Sequence, residues 1–250
     1  MASRDAGPSS AIWRQRAWAG IVIWARGTCK ARLARHAGSV SFKTMPSPFR
    51  PLSASEFAGE VACFAWTRRV WRVDMHHTFY PAHSDYSGLL TIERMRDFHV
   101  ETRGFEDIAQ HVSIAPDGVI WTGRDWNRTP ASVGFGMNAG VFMFETVGNF
   151  DRGHDRLQGS QLDSVIGVID AVQRHFGLPW QALLFHRDVP VTDKTCPGTS
   201  IGKRPILRRL QGLRRANAAA ACGHQGKVAA VTALPAATPR VSPADPERIT

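Results

Sequence analysis

The stretch GSQLDSVIGVIDAVQRHFGLPWQALLFHRD (residues 159–188) constrains the fold most. Leu162, Val165, Ile166, Ile169, Val172 and Phe176 recur with a period of 3.6, the mark of a helix with one buried face. Gly177 followed by Pro179 stops that helix. ALLFH (182–186) then reads as a buried strand that delivers His186 to the loop after it.

Four earlier segments fit the same pattern. VWRVDMHH (70–77) reads as a strand ending in two histidines. Leu89, Ile92, Met95 and His99 sit at helical spacing and predict a helix over 89–102 that ends near Gly104. HVSIAPDGVIWTG (111–123) is two short apolar runs around Pro-Asp-Gly, a hairpin signal. VFMFETVG (141–148) reads as a buried strand. The sum is an α/β domain, with a mixed central sheet flanked by helices. It is expected over residues 52–213. Residues 1–51 form a basic segment without sustained periodicity, expected to be disordered. Residues 214–250 are rich in Ala and Pro and are expected to be a disordered tail.

Charge bears on partners. The formal net charge is +10, and basic residues crowd both ends of the chain, from Arg4 to Arg35 and from Arg204 to Arg215. Such a chain favours polyanions such as nucleic acid, an anionic membrane or an acidic wall polymer. No aromatic-plus-basic reading motif accompanies the charge, so no specific nucleic-acid role is expected. No stretch reaches the ~18 apolar residues of a membrane span. AWAGIVIWA (17–25) has the length of a signal-peptide core, but Arg26 interrupts it and no small-x-small cleavage site follows. Cys29, Cys63, Cys196 and Cys222 show neither a disulfide framework nor a CxxC metal knuckle; their even number permits bridges without arguing for them.

Histidines at strand ends are the first candidates for chemistry. Side chains alternate along a strand, so only one of His76 and His77 can face a given site. A histidine from one strand end, His186 from another and the thiolate of Cys196 would make three protein ligands with an open fourth position, which catalytic zinc requires. Taken singly, each of these histidines reads more simply as a surface or core residue. Cys196 reads as a small buried hydrophobe or as a nucleophile partnered by His186, although no helix-opening pattern follows it to lower its pKa. Glu145 interrupts an apolar run where a carboxylate is costly to bury, which makes it either an outward-facing edge residue or a candidate general base. Lys194 alone would be an ordinary loop lysine.

The motifs HHT (76–78), DI-x-QH (107–111), PDG-x-IW-x-GR (116–124), GNFD (148–151), HRDV (186–189) and KTCPG (194–198), in this order, resemble the zinc-dependent N-acetylmuramoyl-L-alanine amidases. That family also includes peptidoglycan recognition proteins and phage lysozyme-amidases. The resemblance spans about residues 56–207 and implies the amidase/recognition-protein fold in a single, monomeric domain. It implies one zinc ion held by His76, His186 and Cys196, with Lys194 stabilising the transition state and Glu145 as acid/base. It nominates Gln110, His111 and Asn138 as substrate contacts. The implied partner is peptidoglycan or a soluble muropeptide, hydrolysed between N-acetylmuramic acid and L-alanine. A recognition module that binds without cleaving is the alternative, and purely binding members tend to lose the cysteine. The substrate class favours a secreted, periplasmic or wall-associated protein, while the N-terminus also leaves a cytoplasmic location open.

Three departures stand out. Gln110 replaces the tyrosine that phage-type members use, which moves the base role to Glu145. Phe185 replaces the usual glycine before HRDV. Segment 128–138 lacks the histidine many members place in the substrate groove. The ten-residue gap from His186 to Cys196 is similar to the bacterial recycling branch, whereas the cysteine itself is similar to the phage and recognition-protein branches.

Overall fold

The computed structural model describes residues 47–134, 136–190 and 192–231, with side chains to residue 219. The order is β1 (Pro51–Leu52), α1 (Ala54–Cys63), β2 (Arg72–His77), α2 (Leu89–Asp97), β3 (Val112–Ile114), β4 (Ile120–Thr122), β5 (Val141–Thr146), α3 (Gly159–His175), β6 (Leu183–Phe185) and α4 (Lys203–Val231). One turn of π-helix, Phe98–Thr102, prolongs α2. The expected strands, hairpin and helices are all present.

The six strands form one mixed sheet in the order β1-β4-β3-β5-β2-β6. β4 pairs antiparallel with β1 and β3, whereas β3–β5, β5–β2 and β2–β6 are parallel. The pleat sorts side chains to two faces. From β2, Val73 and Met75 enter the main core together with Phe142 and Phe144 of β5 and Leu183 and Phe185 of β6. α1 and α3 cover that face and contribute Phe57, Val61, Val165, Ile169 and Val172. Phe57 stands edge-on to Trp126, and their ring centroids are 5.4 Å apart. The other residues of β2 and β5, Arg72, Asp74 and His76 with Val141, Met143 and Glu145, belong to the opposite face. On that side α2 packs Ile92 and Met95 against Phe49 and Ile108 in a separate cluster.

Local signals explain the ends of the elements. Ser53 caps α1 in a reciprocal box: its hydroxyl accepts from Glu56 N, and the Glu56 carboxylate accepts from Ser53 N at 2.8 Å. The hairpin turns at Gly118, whose φ of 89° suits a residue without a Cβ; an added Cβ would lie 2.7 Å from Ser160.

Both domain boundaries differ from the expectation. At the front, Phe49 is buried and Arg50 pairs with Glu60, so ordered packing begins before residue 52. At the back, α4 continues past 213 to Val231. Ile206 and Leu210 anchor its first turns in the core, and Leu213 packs against it. Arg214 donates to Asp170 at 2.8 Å and to Gln173 at 3.0 Å. Alanine is the strongest helix former, and a helix nucleated by packing propagates through an alanine run at little cost. Low apolar content therefore misread this segment as a tail. Residues 1–46 and 232–250 lie outside the described residues, as does the apolar run 17–25. Cys63, at the end of α1, is disulfide-bonded, which its spacing did not indicate. Among the described residues no helix is long and apolar enough to cross a membrane.

If α4 beyond 213 belongs to the folded unit, Arg214→Ala should cost about 1–3 kcal/mol by leaving the buried Asp170 carboxylate less well paired. Urea unfolding measures this. An unchanged midpoint would show that the contact contributes nothing.

Candidate metal and catalytic site

The site lies at the C-terminal ends of the parallel strands, where β2, β5 and β6 release their chains. The register pairs His76 of β2 with Glu145 of β5. Both are on the face opposite the main core, because each follows a core residue, Met75 and Phe144. On β6, Met75 pairs with Phe185, so the next residue, His186, falls to the site side. The rings of His76 and His186 meet at 4.9 Å between centroids. His77 turns the other way, and its Nδ1 accepts from Phe150 N at 3.2 Å. The preference for His76 over His77 thus follows from the pleat.

Cys196 arrives on the loop after β6. Arg187 holds that loop: its backbone N–H donates to Cys196 O at 2.9 Å, and its guanidinium donates to the carbonyls of Gly198 and Ile201. Asp151, from GNFD, grips the same loop by accepting from Thr199 N at 2.8 Å and Thr195 Oγ1 at 3.0 Å. Gly198 has φ of 114° and presses against the chain at Phe150, where an added Cβ would lie 2.5 Å from backbone atoms. Only glycine permits that approach. The HRD, GNFD and CPG motifs are therefore parts of one clamp.

The result is a cluster in which one ligand atom each from His76, His186 and Cys196 lies within 4.8 Å of the others. Cys196 Sγ is 3.5 Å from His76 Nδ1. Ligand atoms bound tetrahedrally at about 2.0–2.3 Å are separated by about 3.3–3.8 Å, so the donor set suits a zinc-sized ion after small adjustments. Burial disfavours charge at each donor. His76 is held well below the usual histidine pKa by desolvation and by His186 and His77 nearby; His186 is lowered by desolvation and by Lys194. Burial pushes the Cys196 thiol up to about 12. Two neutral imidazoles are ready to ligate, whereas the thiol must lose its proton when a cation arrives.

His76, His186, Cys196, Glu145 and Lys194 all line one cavity of about 390 Å³. Phe79, Phe98 and Phe105 contribute aromatic wall, and Arg103 lies 5.9 Å over the Phe105 ring. Burial raises the Glu145 carboxyl to about 8. The exposed Lys194 brings the positive charge beside the donors.

Three nominated substrate contacts are not brought to the cavity. Gln110 is fully buried and donates from Nε2 to Ser113 Oγ at 2.8 Å. His111 is fully buried and stacks on Phe142 at 4.8 Å; its Nδ1 accepts from Met143 N at 3.0 Å, and its Nε2 lies 2.9 Å from Arg128 O. It ties β5 to the loop after β4. Asn138 accepts from Gly134 N at 2.9 Å and closes a turn. His111 and Asn138 satisfy backbone groups, whereas Gln110 meets a serine side chain. The sequence reading also missed Asp74 and Ser132, which stand behind His76. Asp74 was findable, because period two puts it on the face of His76; Ser132 comes from a loop whose path no pattern fixes.

The family model described as N-acetylmuramoyl-L-alanine amidase matches residues 66–199. The chain belongs to this amidase family. Peptidoglycan-recognition protein SC2 of Drosophila melanogaster is 29% identical over 129 residues, which is 51% of this chain and 67% of that protein. The human N-acetylmuramoyl-L-alanine amidase is 30% identical over 132 residues, 51% of this chain and 22% of the human protein. Among solved structures, Drosophila PGRP-LB is 28% identical with a TM-score of 0.46, covering 53% of this chain and 77% of that one. An endolysin amidase, LysCS from Clostridium intestinale, is 25% identical with a TM-score of 0.47, covering 58% and 85%. This family includes proteins named as amidases and proteins named as recognition proteins, and the function of its members centres on peptidoglycan.

The raised Glu145 pKa makes a prediction for the metal-free protein. The folded state holds a proton on Glu145 up to about pH 8, and the unfolded state releases it near the ordinary glutamate value of 4.5. Folding therefore loses stability as pH rises through that window, by at most about 1.4 kcal/mol per pH unit. Other groups titrate in the same range, so the informative quantity is the difference between wild type and Glu145→Gln. Chemical unfolding from pH 4.5 to 8 should show the variant gaining on wild type as pH rises; a pH-independent difference would contradict the burial argument.

Proposed function

We propose that this chain is a zinc-dependent amidase that hydrolyses the bond between N-acetylmuramic acid and L-alanine in peptidoglycan or its soluble fragments. The observation that supports this most is the joint placement of two imidazoles, a thiol, a buried carboxyl and a lysine around one cavity. His76, His186 and Cys196 would hold the zinc. Bound zinc would supply Lewis acidity and bring the ionisation of water toward neutral pH.

The other residues have separable tasks. Glu145, one strand over from His76 in register, is protonated in the metal-free fold; a cation held by the neighbouring donors would favour its carboxylate, which then accepts the proton of the attacking water. The same carboxyl then delivers that proton to the leaving amine of L-alanine. Lys194 faces the oxygen on which negative charge develops as the carbonyl becomes tetrahedral, and its ammonium stabilises that charge. Phe79, Phe98 and Phe105 offer apolar surface to the substrate.

A binding-only reading draws on the relatives named peptidoglycan-recognition proteins. Retention of both Cys196 and Lys194 favours catalysis, because recognition of an intact ligand needs neither a thiolate ligand nor an oxyanion partner.

Two variants test the roles. Cys196→Ala should purify without stoichiometric zinc and release no stem peptide from purified sacculi. Lys194→Ala should keep its zinc and lose about 10²–10³ in kcat, the usual cost of one oxyanion donor. Metal analysis combined with mass spectrometry of digested peptidoglycan reads both. Zinc-free wild type with full activity would refute the proposal.

A further inference from the structure

We propose that Ser132 and Asp74 are positioning residues that fix the tautomer of His76 and thereby set the metal affinity of the site. The inference rests on the zinc reading above and concerns residues to which that reading assigns no role.

The geometry forces a single proton arrangement. Asp74 is fully buried two residues before His76 on the same strand face. Arg72, on that face as well, donates from Nε to Asp74 Oδ1 at 2.6 Å and from Nη2 to Oδ2 at 3.1 Å. A carboxylate held bidentately by a guanidinium has only lone pairs to offer. Ser132 Oγ lies 2.7 Å from Asp74 Oδ2, so the serine hydroxyl donates its one proton there. Its lone pair then faces His76 Nε2 at 2.9 Å, and Nε2 must be the donor. A neutral imidazole has one N–H, so Nδ1 is left with a free lone pair. Nδ1 is the nitrogen that lies 3.5 Å from Cys196 Sγ, on the metal side.

The support behind Ser132 is also built in. Arg72 Nη2 donates to Met137 O at 2.9 Å, Ala131 N donates to Ala109 O at 3.0 Å, and Asn138 closes the turn at Gly134. One guanidinium thus orients Asp74 and tethers the loop that carries Ser132. This gives Asn138 a task different from the expected substrate contact. An outer partner that fixes ring orientation and tautomer typically contributes 10–100-fold in metal affinity or activity.

The test uses Ser132→Ala and Ser132→Thr beside wild type, with thermal midpoints to establish folding. Long-range nitrogen–proton correlation NMR on the zinc-free proteins reads the His76 tautomer. Chelator competition reads the zinc Kd. Wild type should show His76 protonated on Nε2. Ser132→Ala should lose that pure tautomer and bind zinc about 10–100-fold more weakly, whereas Ser132→Thr, which keeps the hydroxyl, should restore both. An alanine variant with wild-type tautomer and wild-type Kd would overturn the proposal. A wild type that takes up no zinc but whose Nε2–H tautomer vanishes in Ser132→Ala would sink the zinc reading and still support control of His76 by Ser132.

Discussion

The parallel pairing of β2 with β5 on one side and β6 on the other is the constraint on which the rest depends. It sets His76 opposite Glu145 and sets Met75 opposite Phe185, one residue before His186. Because the side-chain period is two, a slip of one residue in either pairing would turn His76 or His186 into the hydrophobic core. The register is held by the opposite face, where Val73, Met75, Phe142, Phe144, Leu183 and Phe185 are all buried. The apolar half of each strand thus fixes the placement of the polar half. No separate device is needed to bring the two histidines together.

The loop ligand has a different origin. No strand positions Cys196; Arg187 and Asp151 do, by holding the carbonyls of Cys196, Gly198 and Ile201 and the N–H of Thr199. Arg187 follows one metal-ligand candidate and grips the segment that holds another. This explains the motifs in physical terms: HRD supplies a donor and its clamp, GNFD supplies the opposing clamp, and CPG supplies the thiol and the glycine that lets the loop close on Phe150. Burial leaves the histidines neutral and the thiol protonated until a cation binds.

Most of the architecture was legible because its signals are periodic. The α3 stripe, the Pro-Asp-Gly hairpin and the buried strand runs each carry their own local pattern; alternation showed that only one of His76 and His77 could face a site, and the motif resemblance chose His76. The misses have a common cause. Gln110, His111 and Asn138 are polar residues whose partners lie within the protein, a serine hydroxyl for Gln110 and backbone groups for the other two, so a motif position looks the same whether its side chain meets a substrate or the fold itself. Ser132 was invisible because a loop has no period. The tail after 213 was misjudged because apolar content was weighed and helix propensity was not. Glu145 was readable, since a carboxylate in VFMFETVG needs a reason to be there.

The central claim is that one sulfur and two imidazole nitrogens of this chain bind a single zinc ion. X-ray absorption at the zinc edge of the purified, zinc-loaded protein tests it most directly. The account predicts one sulfur neighbour at about 2.3 Å and nitrogen or oxygen neighbours at about 2.0–2.1 Å, with the sulfur shell absent in Cys196→Ala. A first shell of oxygen and nitrogen alone in the wild type would contradict it.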